Sequence, residues 1–285
     1  MRPMNAAPDI PNRLTVSIVL YESSLDLLQR CLTSLDRAAR AARDPVGLTG
    51  VHVALVDNST TQVYRTQAAE LASGWASDDF FQVSYTAMPD NRGFGAGHNH
   101  VIQSVDSTFH LVLNPDVELS PDALVVGLAA LQDDAGVALV SPRVTGDEGR
   151  QEFLCKRYPS VLVLLLRAFA PRFIRRLFQR RLGRYQMRDA CAGSREAEVM
   201  LASGCFMLVR TDAIRAAGGF NEGYFLYFED FDLSLRLGGQ GRLIFNPAVH
   251  IMHHGGYAAS KGMLHLKYFL RSGITFFNQH GWRWI

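Results

Sequence analysis

The chain has 285 residues, 48% hydrophobic and 20% charged, with a formal net charge of +2. That balance suits one large globular domain, which buries about three quarters of its unfolded surface and needs no disulfides to fold. The longest apolar run, Val161 to Leu166, is far too short to span a bilayer, and residues 1–13 lack the apolar stretch of a secretory leader.

Leu14 to Tyr21 is a continuous aliphatic and β-branched run, the pattern of a strand buried on both faces. Ser23 to Ala42 follows as a helix, with Leu27, Leu28, Cys31, Leu35 and Ala38 on one face and arginines on the other. Val51 to Val56 is a second buried strand, ending at Asp57-Asn58-Ser59; Gln62 to Ala76 is a helix and Phe81 to Thr86 a third strand. A glycine-rich turn over Asn91 to Gly97 leads into a helix from about His98 to Val105. His110 to Leu113 is a fourth strand, stopped by Asn114-Pro115-Asp116, and Val137 to Arg143 a fifth, followed by a turn at Gly146 to Gly149. Strands alternating with helices predict an α/β fold: a doubly wound, mostly parallel sheet flanked by helices. Ligands of such sheets bind at the carboxyl ends of the strands. Those ends carry Tyr21-Glu22, Asp57-Asn58 and Asn114-Pro115-Asp116, three polar groups predicted to share one cleft edge.

Composition changes over Val161 to Arg184, where seven arginines occur with no acid between them. Leu166, Phe169, Phe173 and Leu177 share a helical face there, which makes the insert a basic amphipathic helix. It suits either an anionic membrane surface or packing on the core, and the unbalanced arginines favour the membrane. Beyond it, Met200 to Arg210 reads as strand, Thr211 to Ala217 as a short helix, Phe228 to Leu237 as a helix with an acidic start, Leu243 to Asn246 as a short strand and Lys261 to Asn278 as a last helix. Cys31, Cys155, Cys191 and Cys205 have neither metal-ligand nor redox spacing, and are expected as reduced, buried thiols in the cytoplasm.

Four segments bear on chemistry. Asp116, at the end of a buried strand, suits a hard cation bridging to a diphosphate, since magnesium and manganese take one or two protein carboxylates; a turn capping the next helix uses the same residues. Asn91 to Asn99 brings glycines to a helix start, where backbone amides meet an anion, although a plain glycine turn reads alike. Glu229 and Asp230 lie among aromatics, a setting that raises a carboxylate pKa toward the range of a general base; helix capping is the simpler reading. His250, His253 and His254 offer metal ligands or merely solvated histidines, and zinc is excluded because no further ligand arrives at the right spacing.

Taken in order, SIVLY at Ser17–Tyr21, VDNS at Val56–Ser59, NRGFGAGHN at Asn91–Asn99, LNPDVEL at Leu113–Leu119, ASGCFMLVR at Ala202–Arg210, GGFNEGYFLYFEDFDLSLRL at Gly218–Leu237 and HHGG at His253–Gly256 resemble the family 2 glycosyltransferases with the GT-A fold. The likeness is greatest to the bacterial rhamnosyltransferase-like branch and covers residues 14–256, leaving 1–13 as a tail and 257–285 as a C-terminal helical segment. The resemblance implies an inverting transfer of a sugar, dTDP-L-rhamnose as the best guess, from a nucleoside-diphosphate sugar to a hydroxyl of a saccharide or lipid-linked acceptor in cell-surface polysaccharide synthesis. It implies a Mg2+ or Mn2+ ion on Asp116 and His253, with His254 the lesser neighbour, and Asn114 standing where the family's acidic motif begins. Asp230 is implied as the general base and Glu229 as its acidic partner. Asp57 is implied at the nucleotide base, and Asn91, Arg92, Gly93, Phe94 and Asn99 along the nucleotide side. Ser203, Gly204 and Tyr227 are implied around the sugar pocket, with Tyr21 and Glu22 at the first strand end.

Two other classes meet part of this pattern. A sugar-nucleotide nucleotidyltransferase needs a basic glycine loop after the first strand, which Tyr21-Glu22-Ser23-Ser24 does not supply. A non-catalytic sugar- or nucleotide-binding protein has no need of Asp116, Glu229 and Asp230 together, and those carboxylates repel a nucleic-acid backbone. The expectation is therefore an enzyme of the cytoplasm, peripheral on the inner face of the membrane through 161–184, with no nucleic-acid partner.

Overall fold

The computed structural model describes residues 12–75, 79–255 and 263–285. Ten strands form one sheet: β1 (Arg13–Leu20), β2 (Gly50–Asp57), β3 (Phe81–Ala87), β4 (Phe109–Leu113), β5 (Val117–Leu119), β6 (Val137–Gly146), β7 (Gln151–Glu152), β8 (Ala197–Glu198), β9 (Phe206–Arg210) and β10 (Arg242–His253). The order across it is β3-β2-β1-β4-β9-β6-β10-β5, with β7 paired to β6 and β8 to β10. β1 to β4 are mutually parallel; β9 runs against both β4 and β6, so β6 and its parallel partner β10 point the same way as β1. The carboxyl ends of β1, β2, β4, β6 and β10 therefore lie along one edge, as the sequence pattern requires of a ligand-binding sheet.

The helices are α1 (Leu25–Ala42), α2 (Gln62–Ser73), α3 (Phe94–Ile102), α4 (Ala123–Asp133), α5 (Val161–Phe169), α6 (Arg172–Leu177), α7 (Gln179–Tyr185), α8 (Arg188–Cys191), α9 (Thr211–Ala216), α10 (Glu229–Leu237) and α11 (Met263–His280). Alternation along the strands divides them between two cores. Leu111, Leu113, Phe206 and Leu208 pack with Leu28, Leu35 and Leu128 of α1 and α4, whereas Val112, Met207 and Val209 pack with Ile214 and Leu233 of α9 and α10. α11 joins a third cluster, in which Phe276 and Phe277 meet Tyr224, Phe228 and Leu164. No described helix is long and apolar enough to cross a membrane. All four cysteines are free and buried.

Several elements differ from the sequence reading, each for a local reason. The insert over 161–184 is not one helix. Ala170 is extended before Pro171, which separates α5 from α6, and a second break at Phe178 separates α6 from α7. α5 buries Val163, Leu164 and Leu166, while α6 buries nothing and leaves Phe173 74% and Leu177 80% exposed. α3 starts at Phe94, four residues before the expected position, so Gly95 and Gly97 are helical rather than part of a turn. A Cβ at Gly97 would come within 2.6 Å of Val19, and one at Gly95 within 2.8 Å of Phe220; the glycines let α3 lie close on both neighbours. The expected strand from Met200 is confined to Phe206–Arg210, because Ser203 to Cys205 form a turn. The expected strand Leu243–Asn246 continues to His253, past Pro247, by way of a register shift between Asn246 and His250. β5 and α4 follow Asp116 and were not legible in the sequence. Arg13, placed in the tail, begins β1, and the Gly256 of the HHGG segment lies outside the described residues.

Candidate active site

Asp116 lies just past β4 and His253 ends β10, so two non-adjacent parallel strands bring them to one sheet edge. The His254 N–H donates to the Asp116 carbonyl over 2.9 Å, which pins the two segments together. Nε2 of His253 is 3.6 Å from Asp116 Oδ1, too long for a hydrogen bond. That oxygen is buried with no hydrogen-bond partner among the described residues. A buried carboxylate oxygen left without a donor is costly unless a cation or proton completes it. A carboxylate and an imidazole that face each other would suit Mg2+ or Mn2+, which take few protein ligands and draw the others from phosphate and water. Among the described residues no group of three or more His, Cys, Asp or Glu side chains is arranged to hold a metal ion.

His254 is differently placed. Its Nδ1 is 2.5 Å from Asp147 Oδ1 and its Nε2 2.7 Å from Glu118 Oε1, itself 2.5 Å from the Arg30 guanidinium. Both ring nitrogens are occupied, so His254 braces the site and is no ligand. His250 is exposed on β10.

The acidic pair comes from the start of α10. Tyr227 and Phe228 hold left-handed backbone, with φ of 70° and 66°, a conformation that costs bulky residues about 1–3 kcal/mol each. The strain is offset by packing: Phe228 is buried against Phe269 and Phe276, and the Tyr227 hydroxyl lies 3.0 Å from His265 Nδ1 on α11. This turn sets Glu229 and Asp230 at the helix N-terminus. Asp230 Oδ2 accepts from the Gly204 N–H at 3.1 Å and Oδ1 from the Phe231 N–H at 2.9 Å. Burial pushes its pKa up, while those N–H groups and the ammonium of Lys156 pull it back. Glu229 is enclosed, its Oε2 lacks a partner among the described residues, and burial beside Asp230 raises its pKa to about 8. Burial raises both carboxyls, and the two N–H donors to Asp230 favour its charged form more than anything around Glu229 Oε2 does.

The two acidic centres are linked through the turn at Ser203 to Cys205. The Asn114 N–H donates to the Cys205 carbonyl at 3.0 Å, and Gly204 holds Asp230. Ser203 Oγ accepts from Cys205 N at 3.4 Å and closes the turn. A Cβ on Gly204 would lie 3.0 Å from the Phe94 ring and 3.5 Å from Asp230 Cβ, so Phe94, Gly204 and Asp230 meet at one place.

The residues expected along the nucleotide side divide into outer and inner groups. Tyr21 is 55% exposed; Glu22, with φ of 48°, accepts from Thr61 Oγ1 at 2.9 Å and secures the loop after β2. Arg92 is exposed and pairs with Glu222 at 2.7 Å, while Asn91 Oδ1 accepts from Gly93 N at 2.9 Å. Gly93 has φ of 95°, and a Cβ there would strike the Phe225 carbonyl oxygen at 2.3 Å. That carbonyl also takes the Phe94 N–H, so this amide does not face an anion. Two of the expected residues are engaged by the protein itself. Asp57 is wholly enclosed, with Oδ1 on Ser59 N at 2.8 Å and Oδ2 on the Tyr85 hydroxyl at 2.6 Å; it shapes the loop and turns no oxygen outward. Asn99 does not line the cleft either. Its Nδ2 donates to the Phe220 carbonyl at 2.8 Å and to Glu222 at 3.1 Å, and its Oδ1 accepts from Phe220 N at 2.8 Å.

Sequence reasoning named Asn58 only as a strand-end group, and its buried Oδ1 has no partner among the described residues; it passed over Glu152, beside His253, and Lys156, a buried lysine whose pKa falls to about 8 through desolvation. VDNS contained Asn58, but no motif marked the other two. A cavity of about 1520 Å³ lies elsewhere, at the amino ends of β6 and β10, lined by Gly136, Leu243, Arg180, Arg181, Arg184 and Arg283 among others.

The sequence model of glycosyl transferase family 2 matches residues 15–216, most of the chain, from within β1 to the end of α9. The chain belongs to glycosyl transferase family 2. Its sequence is 28% identical over 152 residues to the N-acetylglucosaminyl-diphospho-decaprenol L-rhamnosyltransferase of Mycobacterium tuberculosis, covering 53% of this chain and 48% of that protein. Rhamnosyltransferase WbbL of Escherichia coli is 28% identical over 178 residues, covering 56% of this chain and 61% of that one. The chain thus matches about half the length of the first relative and somewhat more of the second. Among solved structures it is similar to GalNAc-T7 with UDP, GalNAc and Mn2+ (TM-score 0.61, 14% identity, 87% of this chain and 45% of the other). It is also similar to the mannosyltransferase PcManGT of Pyrobaculum calidifontis with GDP-Man and Mn2+ (TM-score 0.57, 17% identity, 90% and 63% covered). At these identities the likeness concerns the fold, which is the GT-A fold.

Proposed function

We propose that this family 2 glycosyltransferase is metal-dependent and inverting, and transfers L-rhamnose from dTDP-L-rhamnose to a hydroxyl of a saccharide or lipid-linked acceptor in cell-surface polysaccharide synthesis. The observation that carries the reading is the unpartnered Asp116 Oδ1 facing His253 Nε2, with Asp230 one turn of chain away through Gly204. The names of the two curated relatives support the rhamnosyl donor, and the first of those names supports a lipid-linked acceptor.

Asp116 and His253 would hold the divalent ion, which supplies the positive charge that stabilises the departing nucleoside diphosphate. Asp230 takes the proton from the acceptor hydroxyl. The acceptor oxygen forms a bond to the anomeric carbon as the bond from that carbon to the diphosphate oxygen breaks on the opposite face, so the configuration inverts. Glu229, neutral beside it, adds no second negative charge to oppose the base. Gly204 and Phe94 limit where the sugar can lie next to Asp230, with Ser203 and Tyr227 shaping the same region. Asn91, Arg92 and Gly93 border the nucleotide end, where Asp57 holds the loop from within and Tyr21 and Glu22 form the outer rim.

The reading is tested by calorimetry with UDP, dTDP and GDP, each with and without Mn2+. Metal-dependent binding of dTDP that is lost in Asp116→Ala is the expected outcome; binding of no nucleotide under either condition refutes the reading. A second element of the proposal concerns α6 and α7, whose exposed Phe173 and Leu177 stand among Arg172, Arg175, Arg176, Arg180 and Arg181. This face suits peripheral contact with anionic lipid. Flotation with phosphatidylglycerol liposomes at low salt should carry the protein upward, and failure to float removes this element alone.

A further inference from the structure

β6 and β7 form a hairpin whose return strand is only two residues long, Gln151–Glu152. Val144 pairs with Glu152, while Gly146 of the same hairpin pairs with His253 across the β6–β10 ladder. The register therefore delivers Glu152 to the side of the His253 ring away from Asp116. Glu152 Oε2 is 3.3 Å from His253 Nδ1, and His253 Nε2 is 3.6 Å from Asp116 Oδ1. The ring stands between two carboxylates, one at hydrogen-bond distance and the other beyond it.

The backbone around this arrangement is cleared for it. A Cβ on Gly146 would lie 2.8 Å from Glu152 Oε1 and displace that carboxylate; a Cβ on Gly255 would lie 2.4 Å from His253 Cε1 and displace the ring. The turn of the same hairpin supplies Asp147 to His254, so one short hairpin governs both histidines and leaves only one of them a free nitrogen.

We propose that Glu152 is a positioning residue for the metal site. It accepts the Nδ1–H of His253, fixes the neutral tautomer in which Nε2 carries the lone pair, and aims that lone pair at the space beside Asp116. A carboxylate behind a ligating histidine orients the ring and raises its basicity, and its loss weakens metal affinity about 10–100-fold. The inference rests on the metal-dependent reading above, and the experiment separates the two.

Mn2+ affinity is measured by electron paramagnetic resonance of the free ion in the presence of dTDP, for the wild type, Glu152→Ala, Glu152→Gln and Asp116→Ala. The His253 tautomer is read in metal-free protein by long-range proton–nitrogen-15 correlation, assigned with His253→Gln. The expected result is about 10–100-fold weaker Mn2+ binding in Glu152→Ala, a smaller loss in Glu152→Gln, whose amide oxygen still accepts the N–H, and a loss of the Nδ1–H tautomer in the alanine variant. Wild-type Mn2+ affinity in Glu152→Ala, with Asp116→Ala impaired, overturns the role of Glu152 and leaves the metal reading standing. Weaker Mn2+ binding with an unchanged tautomer also overturns it, because a merely electrostatic or structural effect of Glu152 would leave the ring as it was. No Mn2+ binding by the wild type overturns both readings together.

Discussion

The region around Asp57 and Asn99 and the region around Asp116 and Glu229 are built from the same residue types with opposite polar accounting. In the first, Asp57 and Asn99 are buried and their side-chain groups are turned to internal partners, on Ser59, Tyr85, Phe220 and Glu222. In the second, Asp116 Oδ1 and Glu229 Oε2 are buried without partners among the described residues. Buried polar groups are normally satisfied, so an unsatisfied one can be completed by a ligand or a proton. Asn58, next to Asp57, combines both conditions, since its Nδ2 supports Gly93 at 3.0 Å while its Oδ1 stays without a partner among the described residues. Like residues at the strand ends therefore differ in hydrogen-bond completeness, which motif position does not reveal.

The largest effect that tests this contrast lies at Asp230. Asp230→Asn keeps the size and one of the two N–H contacts but removes the base, and turnover should fall about 10²–10⁴-fold. Sugar transfer assayed with purified enzyme checks it, and wild-type turnover in this variant ends the assignment. At Asn99 the contrast predicts the reverse. Asn99→Leu strands the backbone groups of Phe220 and should cost about 1–3 kcal/mol of stability by denaturant unfolding, while the donor KM of the folded fraction stays near wild type. A large rise in donor KM without loss of stability would return Asn99 to the nucleotide pocket.

The smallest effect concerns Glu229 and is a pH slope. Its folded pKa of about 8 lies above the ordinary 4.5, so between those values the unfolded chain is ionised and the folded one protonated. Folding then binds a proton, and stability from this group falls as pH rises through that window. Glu229→Gln removes the titration, so its melting temperature should gain on the wild type steadily from pH 5 to pH 8. A constant difference across that range would mean that Glu229 is ionised in the folded protein.

Much of this architecture was legible residue by residue. The continuous apolar runs of β1, β2 and β4 specify strands buried on both faces, and the polar residues that stop them mark the binding edge, because a chain leaving a parallel sheet must expose its next groups there. The ordered motifs likewise contained Asp116 and His253, which the sheet brings within 3.6 Å of each other. The insert over 161–184 was legible in its chemistry but not in its shape, since helical periodicity continues across Pro171 although a helix cannot. β7 was not legible at all: two residues carry no periodic signal, and Gln151–Glu152 form a strand only because β6 is there to pair with them.

What the sequence by itself determined is the alternation of buried strands and amphipathic helices, hence the fold, and the residue types available at the strand ends. What only the tertiary structure decided is which of those polar groups remain unsatisfied. Asp57 and Asp116 follow buried strands in much the same way, yet Tyr85 and the Ser59 amide close around the first while the second is left facing His253. That choice depends on strands β3 and β10, which lie far from each aspartate in sequence and reach it only through the register of the sheet.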